Sequence, residues 1–353
     1  MEKCGKQVRR ICVGVLLLAT ILRLGGSSLA TASQTHRSQL ASFFLYLQTG
    51  LISSPNAISG ELTMEQPNRA AMTAPPKPEP VTEPTKVFDF PTWTEDEETE
   101  LTFPGELAQS INVRFGGTYE PDLAALLERP VDLDFSGDQP RILVLHTHAT
   151  ESYTQSPGWE YTPSSPYRCM DEERNMVCVG NRITQRLEEA GIPVIHDKTF
   201  HDYPSYNSSY SRAMETISYW LEKYPSIQMV IDVHRDAVEL EDQVQLATSA
   251  IVNGNQSAQV MLVIGNDEGG LYHPNWDANL SWALKLQAQM DRQFPGLARP
   301  LLFYPQRYNQ HATPGSIVLE VGTTGDTMEK ALTAADAFCE VLIQVIDGLH
   351  LRG

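Results

Sequence analysis

The chain has 353 residues, 41% of them hydrophobic and 20% charged, and its 44 acidic and 26 basic side chains give a formal net charge of -18. This negative charge argues against a nucleic-acid partner, because binding to a phosphate backbone requires clustered Lys and Arg. The hydrophobic fraction allows a buried core and excludes a wholly disordered chain or a polytopic membrane protein. The five Cys residues are few and scattered, so a zinc site would need His and carboxylate ligands.

The N-terminus has the pattern of a membrane signal, in which basic residues precede an apolar run. Four Lys and Arg side chains between positions 3 and 10 precede the apolar residues 11–22, and Arg23 ends the run. This order keeps the positive side in the cytoplasm and exports the rest of the chain. We therefore predict a signal or anchor over residues 1–33 and a single-pass protein of the cell membrane with an extracytoplasmic C-terminal domain. Cleavage and retention of the segment are both open.

Residues 34–106 have the composition of an extended stalk. Residues 75–84 are rich in Pro, and residues 94–100 are acidic with few side chains to bury. Such segments stay extended or disordered because they cannot bury enough apolar surface to fold. We predict that this disordered stalk holds a folded domain, residues 107–353, at a distance from the membrane.

From residue 139 onward, short apolar runs of strand length alternate with stretches of helical period. Successive strand and helix units predict an α/β fold with a sheet flanked by helices in three layers. The dipeptide Asn253-Gly254 is a hairpin signal, so we predict a mixed rather than a purely parallel sheet. The predicted strands are residues 141–146, 193–196, 227–234, 246–252, 259–264 and 316–321, and the predicted helices include residues 175–190, 214–221, 276–290 and 327–349.

In three of the predicted strands, the apolar run ends at a side chain that can bind metal or transfer protons. One ends in His-Thr-His at 146–148, another in His-Arg-Asp at 234–236, and the last reaches Glu320. In an open α/β sheet, ligands bind in the crevice beyond the carboxyl ends of the strands. A buried His or Glu in such a position is costly unless it is paired or bound to metal. We therefore expect the three strand ends to converge on one site.

The histidines and a nearby carboxylate have the chemistry of a zinc site. His146 and His148 are two residues apart on an extended segment, so we expect them to share a face, and Glu151 follows in the turn. Together with His234 they supply imidazole and carboxylate ligands, and a set of two His and one carboxylate leaves a fourth tetrahedral position for water. Asp232 is placed to orient a metal-bound imidazole. Spacing does not decide which of His146 and His148 binds the ion.

Glu320 is the predicted general base, because a carboxylate beside a zinc site can take a proton from water and pass it to a leaving amine. The alternative for Glu320 is a structural ion pair with Arg235 or Arg307. His201 lies in the aromatic segment 201–206, which forms either the wall of a binding groove or an ordinary packed loop.

Six motifs between residues 140 and 345 carry a family resemblance. They are HTHATESY at 146–153, HDKTFHDYPSY at 196–206, DVHRDA at 232–237, HPNW at 273–276, RYNQ at 307–310 and PGSIVLEVG at 314–322. In this order they resemble the stage II sporulation protein P family of peptidoglycan hydrolases.

The resemblance implies a zinc-dependent N-acetylmuramoyl-L-alanine amidase with the fold of other cell-wall amidases. It also implies cleavage of peptide cross-links and a role in engulfment during sporulation, beside the stage II sporulation proteins D and M. Carried onto this chain, it makes Glu320 the catalytic carboxylate. It places the zinc ligands at His234, at His146 or His148, and at a carboxylate.

The acidic ligand has two candidate positions. We favour Glu151, whereas the wider amidase fold has a Glu just before its first helix, which corresponds here to Glu172 or Glu173. The chain also departs from the family pattern, since Asp326 stands where Asn is expected and residues 158–170 read as an insertion at the rim of the cleft.

The predicted reaction is hydrolysis of the amide between the lactyl group of N-acetylmuramic acid and L-alanine. Arg235, a second catalytic candidate, or Arg307 could hold a carboxylate of the stem peptide, because a guanidinium pairs well with carboxylates. Arg307 and His201 are the substrate-binding candidates. Two rival functions are a non-catalytic wall-binding scaffold, which would have lost part of the metal set, and an exported zinc carboxypeptidase that acts on free peptides.

Overall fold

A seven-stranded mixed sheet lies at the centre of the described residues, which are 101–238 and 244–352 of this computed structural model. The strands are β1 Val113–Phe115, β2 Ile142–Leu145, β3 Val194–His196, β4 Met229–Asp236, β5 Ala250–Val252, β6 Asn255–Ser257, β7 Val260–Gly265, β8 Leu301–Tyr304 and β9 Ile317–Thr323. The helices are α1 Leu123–Glu128, α2 Met176–Glu189, α3 Ser209–Lys223, α4 Trp276–Gln293 and α5 Met328–Gly348, with short 3-10 helices at Gly105–Gln109 and Gln310–Ala312. The predicted alternation of strands and helices is confirmed.

Two parallel groups of strands meet along one antiparallel pair. The order is β1-β8-β7-β9-β4-β2-β3, and within this sheet only β7 and β9 run antiparallel. The predicted mixed sheet is therefore confirmed, but the reason given for it was wrong. Asn253 and Gly254 do form a tight turn, with φ of 48° and 80°. The β5–β6 hairpin that they join is a separate two-stranded sheet.

Helices cover the central sheet on both faces. On β2, Ile142 and Val144 belong to the same apolar cluster as α2, α4 and α5, whereas Leu143 and Leu145 pack with α3. All four side chains are buried, as expected for a parallel strand covered on both faces. The result is a three-layer arrangement in which α3 covers the face that carries the candidate site, and α2, α4 and α5 cover the other face.

Helix α2 begins and ends at ordinary sequence signals. Asn175 caps its first turn, and the Asn175 Oδ1 accepts a hydrogen bond from Val177 N at 2.9 Å. Gly191, with φ of 76°, lies just beyond its C-terminal end. The first residue of the helix, Met176, donates its N–H to Glu151 O at 2.9 Å. The helix is therefore tied to the loop that follows β2.

The packed domain extends to the N-terminal side of residue 107. Leu101 and Phe103, which the sequence assigns to the stalk, are 5% and 8% exposed, and Leu101 N donates to Gly348 O at 2.8 Å. Composition does not show this burial, because the partner helix α5 is at the other end of the chain. The predicted segment 1–33 and the stalk up to residue 100 lie outside the described residues. Among the helices of residues 101–238 and 244–352, none combines the length and apolar character that a membrane span requires.

A close histidine pair lies beneath α2. His146 Nδ1 donates to Val233 O at 3.0 Å, and His146 Nε2 is 2.9 Å from His196 Nε2. Gly180 of α2 passes directly over both rings, and a Cβ at this position would lie 2.5 Å from each Nε2. The helix can approach the sheet this closely because residue 180 has no side chain.

We predict that Gly180→Ala destabilises the protein by roughly 1–3 kcal/mol, although Gly→Ala in a helix ordinarily stabilises by about 0.5–1 kcal/mol. The added methyl group would overlap two buried rings that hydrogen bonds hold in place. Chemical denaturation measures the effect. The exposed neighbour Asn181 supplies the control, since Asn181→Ala should change the free energy of unfolding by no more than about 0.5 kcal/mol. A Gly180→Ala protein as stable as the wild type would contradict this packing.

Candidate functional site

Strands β4 and β9 place His234 beside Glu320 on the face of the sheet that α3 covers. The two residues are partners in the parallel register. Side chains of β4 alternate between faces, so Asp232 and His234 lie on the same face as Val230, which packs with α3. Glu320 was expected near the end of its strand, but β9 continues to Thr323. The site therefore lies on a face of the sheet rather than beyond the strand ends.

His148 and Glu151 reach the same place from the loop after β2. The strand ends at Leu145, and residues 147–150 form a turn. The ring centroids of His148 and His234 are 5.2 Å apart, with the ring planes at 88°. Glu151 Oε2 is 3.7 Å from His234 Nδ1. Three of the predicted ligands are thus brought together by one strand, β4, and the loop that follows β2.

His146 is turned away from this cluster. Its two ring nitrogens are engaged by Val233 O and by His196 Nε2 beneath α2. The expectation that His146 and His148 share a face was wrong, because side chains two apart align only within a pleated strand and the chain leaves the strand at Leu145. Of the two candidate histidines, the structure places His148 beside His234.

The alternative acidic ligands, Glu172 and Glu173, lie on the surface. Both are exposed, and Glu173 is 3.7 Å from its neighbour Arg174. Glu151, by contrast, is 5% exposed and faces His234. The structure therefore brings Glu151, and neither of the two alternatives, to the histidines.

Asp232 binds the turn that carries His148 and also contacts His234. It accepts hydrogen bonds from Thr147 N at 2.7 Å and from Thr147 Oγ1 at 2.6 Å. Asp232 Oδ1 is 2.9 Å from His234 Nε2, although the angle falls short of a hydrogen bond. Burial alone would raise the pKa of Asp232, but His234 and the bonds from Thr147 lower it. Asp232 thus lies against both His234 and the turn that carries His148.

The carboxylates around His234 favour a positive charge there. Burial alone would lower the pKa of His234, but Asp232, Glu320 and Glu151 raise it to about 10. The position is therefore electrostatically suited to a cation, whether a proton or a metal ion.

Glu320 is half-buried, and its Oε2 has no hydrogen-bond partner. Burial raises the pKa of Glu320, and the neighbouring His234 offsets only part of the rise. In the described part of the chain, no ion pair joins Glu320 to Arg235 or Arg307, whose guanidinium groups are bonded elsewhere. A carboxyl group in this environment can exchange a proton closer to neutral pH than a free glutamate.

Two arginines hold Glu151. Arg235 Nη1 is 3.6 Å from Glu151 Oε1, and the Arg235 guanidinium donates to Ser152 O at 3.1 Å and to Tyr167 O at 3.2 Å. Arg168 Nη2 donates to Glu151 Oε1 at 3.2 Å. The guanidinium of Arg235, a catalytic candidate in the sequence, is therefore engaged by Glu151 and by two backbone carbonyl groups. Arg168 was missed because no local pattern marks it.

Two tyrosines enclose the histidines. Tyr206 stacks on His148 with ring centroids 4.3 Å apart and planes at 9°, and its hydroxyl is 2.9 Å from His148 Nε2. Tyr210, at the start of α3, is edge-on to His148 at 5.7 Å and stacked with His234 at 6.5 Å. The sequence indicated segment 201–206 as one candidate for a groove wall. It did not indicate Tyr210, whose position at the start of an amphipathic helix is the one sequence feature that could have identified it.

His201 and Arg307, the predicted substrate-binding residues, are bonded elsewhere. His201 is 1% exposed, its Nδ1 donates to His146 O at 2.7 Å, and its Nε2 accepts from Thr216 Oγ1 at 2.8 Å. Its protonated nitrogen is assigned to Nδ1 because a carbonyl oxygen can only accept. Both nitrogens are thus used in packing the loop. Arg307 Nη1 donates to Tyr272 O at 3.2 Å.

The cluster has donors suited to zinc, although they are not arranged as a finished site. Within residues 101–238 and 244–352, no group of three or more His, Cys, Asp or Glu side chains has the spacing to hold a metal ion as it stands. His148 Nδ1 is nevertheless buried without a hydrogen-bond partner. Glu151 Oε2 and His234 Nδ1 are 3.7 Å apart, and two ligands about 2.0–2.1 Å from a tetrahedral zinc ion are separated by about 3.3 Å. These side chains therefore fit zinc in chemistry, and one pair of donors lies near the required separation.

The fold and the site define a mixed α/β protein with two histidines and several carboxylates gathered on one covered face of its sheet. The family model of Stage II sporulation protein P (SpoIIP) matches residues 64–343, well over half of the chain. The chain belongs to the stage II sporulation protein P family. The resemblance identified in the sequence is confirmed.

A relative from Bacillus subtilis (strain 168), Stage II sporulation protein P, is 27% identical over 223 residues. The matched region covers 60% of this chain and 52% of the relative, so the chain spans about half the length of the curated relative that it matches. The activity and partners of the whole relative therefore do not follow from this match alone.

Solved structures of N-acetylmuramoyl-L-alanine amidases show a low level of similarity. The amidase AmiC2 of Nostoc punctiforme is 10% identical with a TM-score of 0.34, and the match covers 60% of this chain and 97% of that one. The amidase from Clostridium difficile 630 is 11% identical with a TM-score of 0.32, and the match covers 59% and 96%. Identities and TM-scores this low do not by themselves assign a fold or a function.

We predict that the histidine pair beneath α2 makes the protein less stable as the pH falls from about 6.5 toward 4. Burial lowers the pKa of His146 to about 4 and that of His196 to about 2. Below pH ~6.5 the unfolded chain takes up protons on these histidines while the folded chain does not, so the folded state loses relative stability. The loss between pH 6.5 and 5 is at most about 2 kcal/mol for each histidine.

The matched variant is His196→Asn, whose side-chain N–H can still donate to His146 Nε2. It should lose less stability than the wild type over the same pH interval, because it carries one titrating group fewer. Urea unfolding at pH 6.5 and 5 measures both proteins. Equal losses in the two would show that His196 does not stay neutral in the folded state.

Proposed function

We propose that the chain is a zinc-dependent peptidoglycan hydrolase that cleaves the amide between the lactyl group of N-acetylmuramic acid and L-alanine. The observation that carries the proposal is the meeting of two histidines and Glu151 beside Glu320. Membership of the stage II sporulation protein P family supports the substrate class. The choice of the amide bond, and a second activity on peptide cross-links, rest on the family resemblance.

Zinc would be held by His148 Nδ1, Glu151 Oε2 and His234 Nδ1. The other ring nitrogen of His148 is engaged by the Tyr206 hydroxyl, at 2.9 Å. The other nitrogen of His234 faces Asp232, also at 2.9 Å. Partners of this kind orient an imidazole so that its opposite nitrogen is presented to a metal. When bound, zinc supplies a Lewis acid that polarises a substrate carbonyl and acidifies water.

Glu320 would carry the proton. Its Oε2 is unpartnered and its pKa is raised by burial, so it can accept a proton from the attacking water and release it to the leaving amine of L-alanine. Its place beside His234 in the strand register keeps it next to the proposed metal ligands. Arg235 would not touch the substrate in this scheme, because its guanidinium holds Glu151 and two carbonyl groups.

The proposal includes the place of action. Residues 1–33 would anchor the chain in the cell membrane by a single pass, with the hydrolase domain outside the cytoplasm. A role in engulfment, with the stage II sporulation proteins D and M as partners, rests on the family resemblance. Protease treatment of intact cells tests the orientation, because an extracytoplasmic domain would be digested and a cytoplasmic one protected.

We predict that Glu320→Gln lowers the release of stem peptides from purified peptidoglycan by about 10²–10⁴-fold. Glutamine keeps the size of the side chain but cannot carry the proton. The assay uses the full chain and mass spectrometry of the released products, which also identifies the bond that is cut. Glu172→Gln, at an exposed acid of the same domain, is the matched control and should keep full activity.

The same assay separates the rival functions. A non-catalytic wall-binding protein would bind peptidoglycan and release no peptide, and a carboxypeptidase would shorten stem peptides without freeing them from the glycan. A chelator should abolish the release of stem peptides. Activity that persists in chelator would exclude zinc, and wild-type activity in Glu320→Gln would exclude Glu320 from proton transfer.

We predict that His148→Asn weakens zinc binding by at least about 10–100-fold, which is the loss expected when a hydrogen-bond partner of a metal ligand is removed. His146→Asn should leave zinc binding nearly unchanged. His148 has a free buried nitrogen beside His234, and His146 has none. Zinc affinity is measured by competition with a chromogenic chelator, and circular dichroism checks the fold of each variant. The reverse result would assign the ligand to His146.

A further inference from the structure

We infer that Arg168 is a positioning residue for this site, one that sets the orientation of both Glu151 and His148. Arg168 is neither one of the proposed zinc ligands nor the proposed proton carrier. The inference rests on the proposed function, because it concerns how the same site is held ready for its ion.

The backbone around Arg168 pairs with the backbone around Glu151. Ser152 N donates to Tyr167 O at 2.9 Å, and Cys169 N donates to Thr150 O at 2.8 Å. Glu151 and Arg168 form an antiparallel bridge between these two bonds. The segment 158–170, which the sequence marks as an insertion, thus delivers the guanidinium to a fixed position.

The Arg168 guanidinium fork binds Oε1 of Glu151 and not Oε2, which accepts one long hydrogen bond, from Arg235 N at 3.4 Å. Arg168 Nη2 donates to Glu151 Oε1 at 3.2 Å. The second oxygen, Oε2, is the one that lies 3.7 Å from His234 Nδ1. With Oε1 held by Arg168, Oε2 is directed toward His234, which would favour a zinc ion bound through one oxygen of Glu151.

The other arm of the fork is anchored by groups that do not bind the ion. Arg168 Nη1 donates to Asp202 Oδ2 at 2.8 Å and to Thr150 Oγ1 at 3.1 Å. The Asp202 side chain is fully buried, and that of Arg168 is 16% exposed. Charge-assisted hydrogen bonds among buried groups are strong and directional. The arm toward Glu151 is consequently held in one geometry.

Arg168 also supports His148 through an aromatic ring. The Arg168 Cζ lies 4.9 Å from the centroid of the Tyr206 ring. The same ring stacks on His148 at 4.3 Å, and its hydroxyl is 2.9 Å from His148 Nε2. A guanidinium over a tyrosine ring is attractive in itself and restricts the ring. One side chain therefore braces two of the three proposed ligands.

Lysine cannot replace this arrangement. A guanidinium is planar and presents donors in two directions, so it can bind Glu151 with one nitrogen and Asp202 with another while lying on a ring. An ammonium group is a point charge at the end of a flexible chain. We therefore expect Arg168→Lys to keep the charge but lose part of the orientation.

The test uses the full chain and two variants, Arg168→Met and Arg168→Lys. Zinc affinity is measured by competition with a chromogenic chelator, and the geometry at the metal is read from the visible spectrum of the cobalt-substituted protein. Arg168→Met should weaken zinc affinity by about 10–100-fold and change the cobalt spectrum, with Arg168→Lys intermediate in both. A merely structural role would lower the melting temperature without changing the cobalt spectrum.

Arg174→Met is the matched control. Arg174 is close in sequence and lies over the ring of Trp159 at 5.0 Å, and it forms an ion pair with the exposed Glu173 rather than with Glu151 or Asp202. It should bind zinc and cobalt like the wild type.

The outcomes distinguish this inference from the proposed function. Wild-type zinc affinity and an unchanged cobalt spectrum in folded Arg168→Met would overturn the role of Arg168 and leave the proposed function standing. A wild-type chain that binds neither zinc nor cobalt would overturn both. If Arg168→Met fails to fold, the Arg168→Lys variant decides the question. A zinc affinity and a cobalt spectrum of Arg168→Lys equal to those of the wild type would then overturn the inference.

Discussion

The parallel pairing of β4 with β9 is the constraint on which the site depends. It sets His234 and Glu320 side by side on one face, and β2 on the far side of β4 delivers the turn that carries His148. Because side chains alternate along a strand, a slip of one residue would move Glu320 to the opposite face, into the core beneath α5. The burial of the apolar residues between these groups on β4 and β9 holds the register, so the core and the site are specified together.

Around His234 the same residues serve both stability and reactivity. Buried carboxylates are costly unless they are paired or hydrogen-bonded. Asp232 is satisfied by Thr147, and Glu151 by Arg168 and by Arg235. Glu320 keeps an oxygen without a hydrogen-bond partner, as its proposed role in proton transfer requires. The remaining negative charge favours a cation at His234, so the electrostatic design and the proposed metal site agree.

The sequence predicts a site residue correctly where the residues next to it in the chain form a clear pattern. His234 and Glu320 follow mostly apolar runs of strand length, which made these polar residues conspicuous. The position of a side chain could not be predicted where it depended on the path of the chain after a strand. His146 faces α2 like Ile142 and Val144 before it, and the turn after Leu145 carries His148 to the other face. Both ring nitrogens of His201 are bonded, to His146 O and to Thr216 Oγ1. Arg168 carries no local signal, since its partners are brought to it by the fold.

By itself, the sequence determined the α/β class, the family and the kinds of side chain available for chemistry, because apolar periodicity and motifs are properties of neighbouring residues. Only the tertiary structure decided that His148 rather than His146 meets His234, that Glu151 rather than Glu172 lies beside His234, and that Leu101 packs against α5. Each of these depends on contacts between segments far apart in the chain. Such contacts follow from the balance of burial, register and charge over the whole domain, which no local pattern contains.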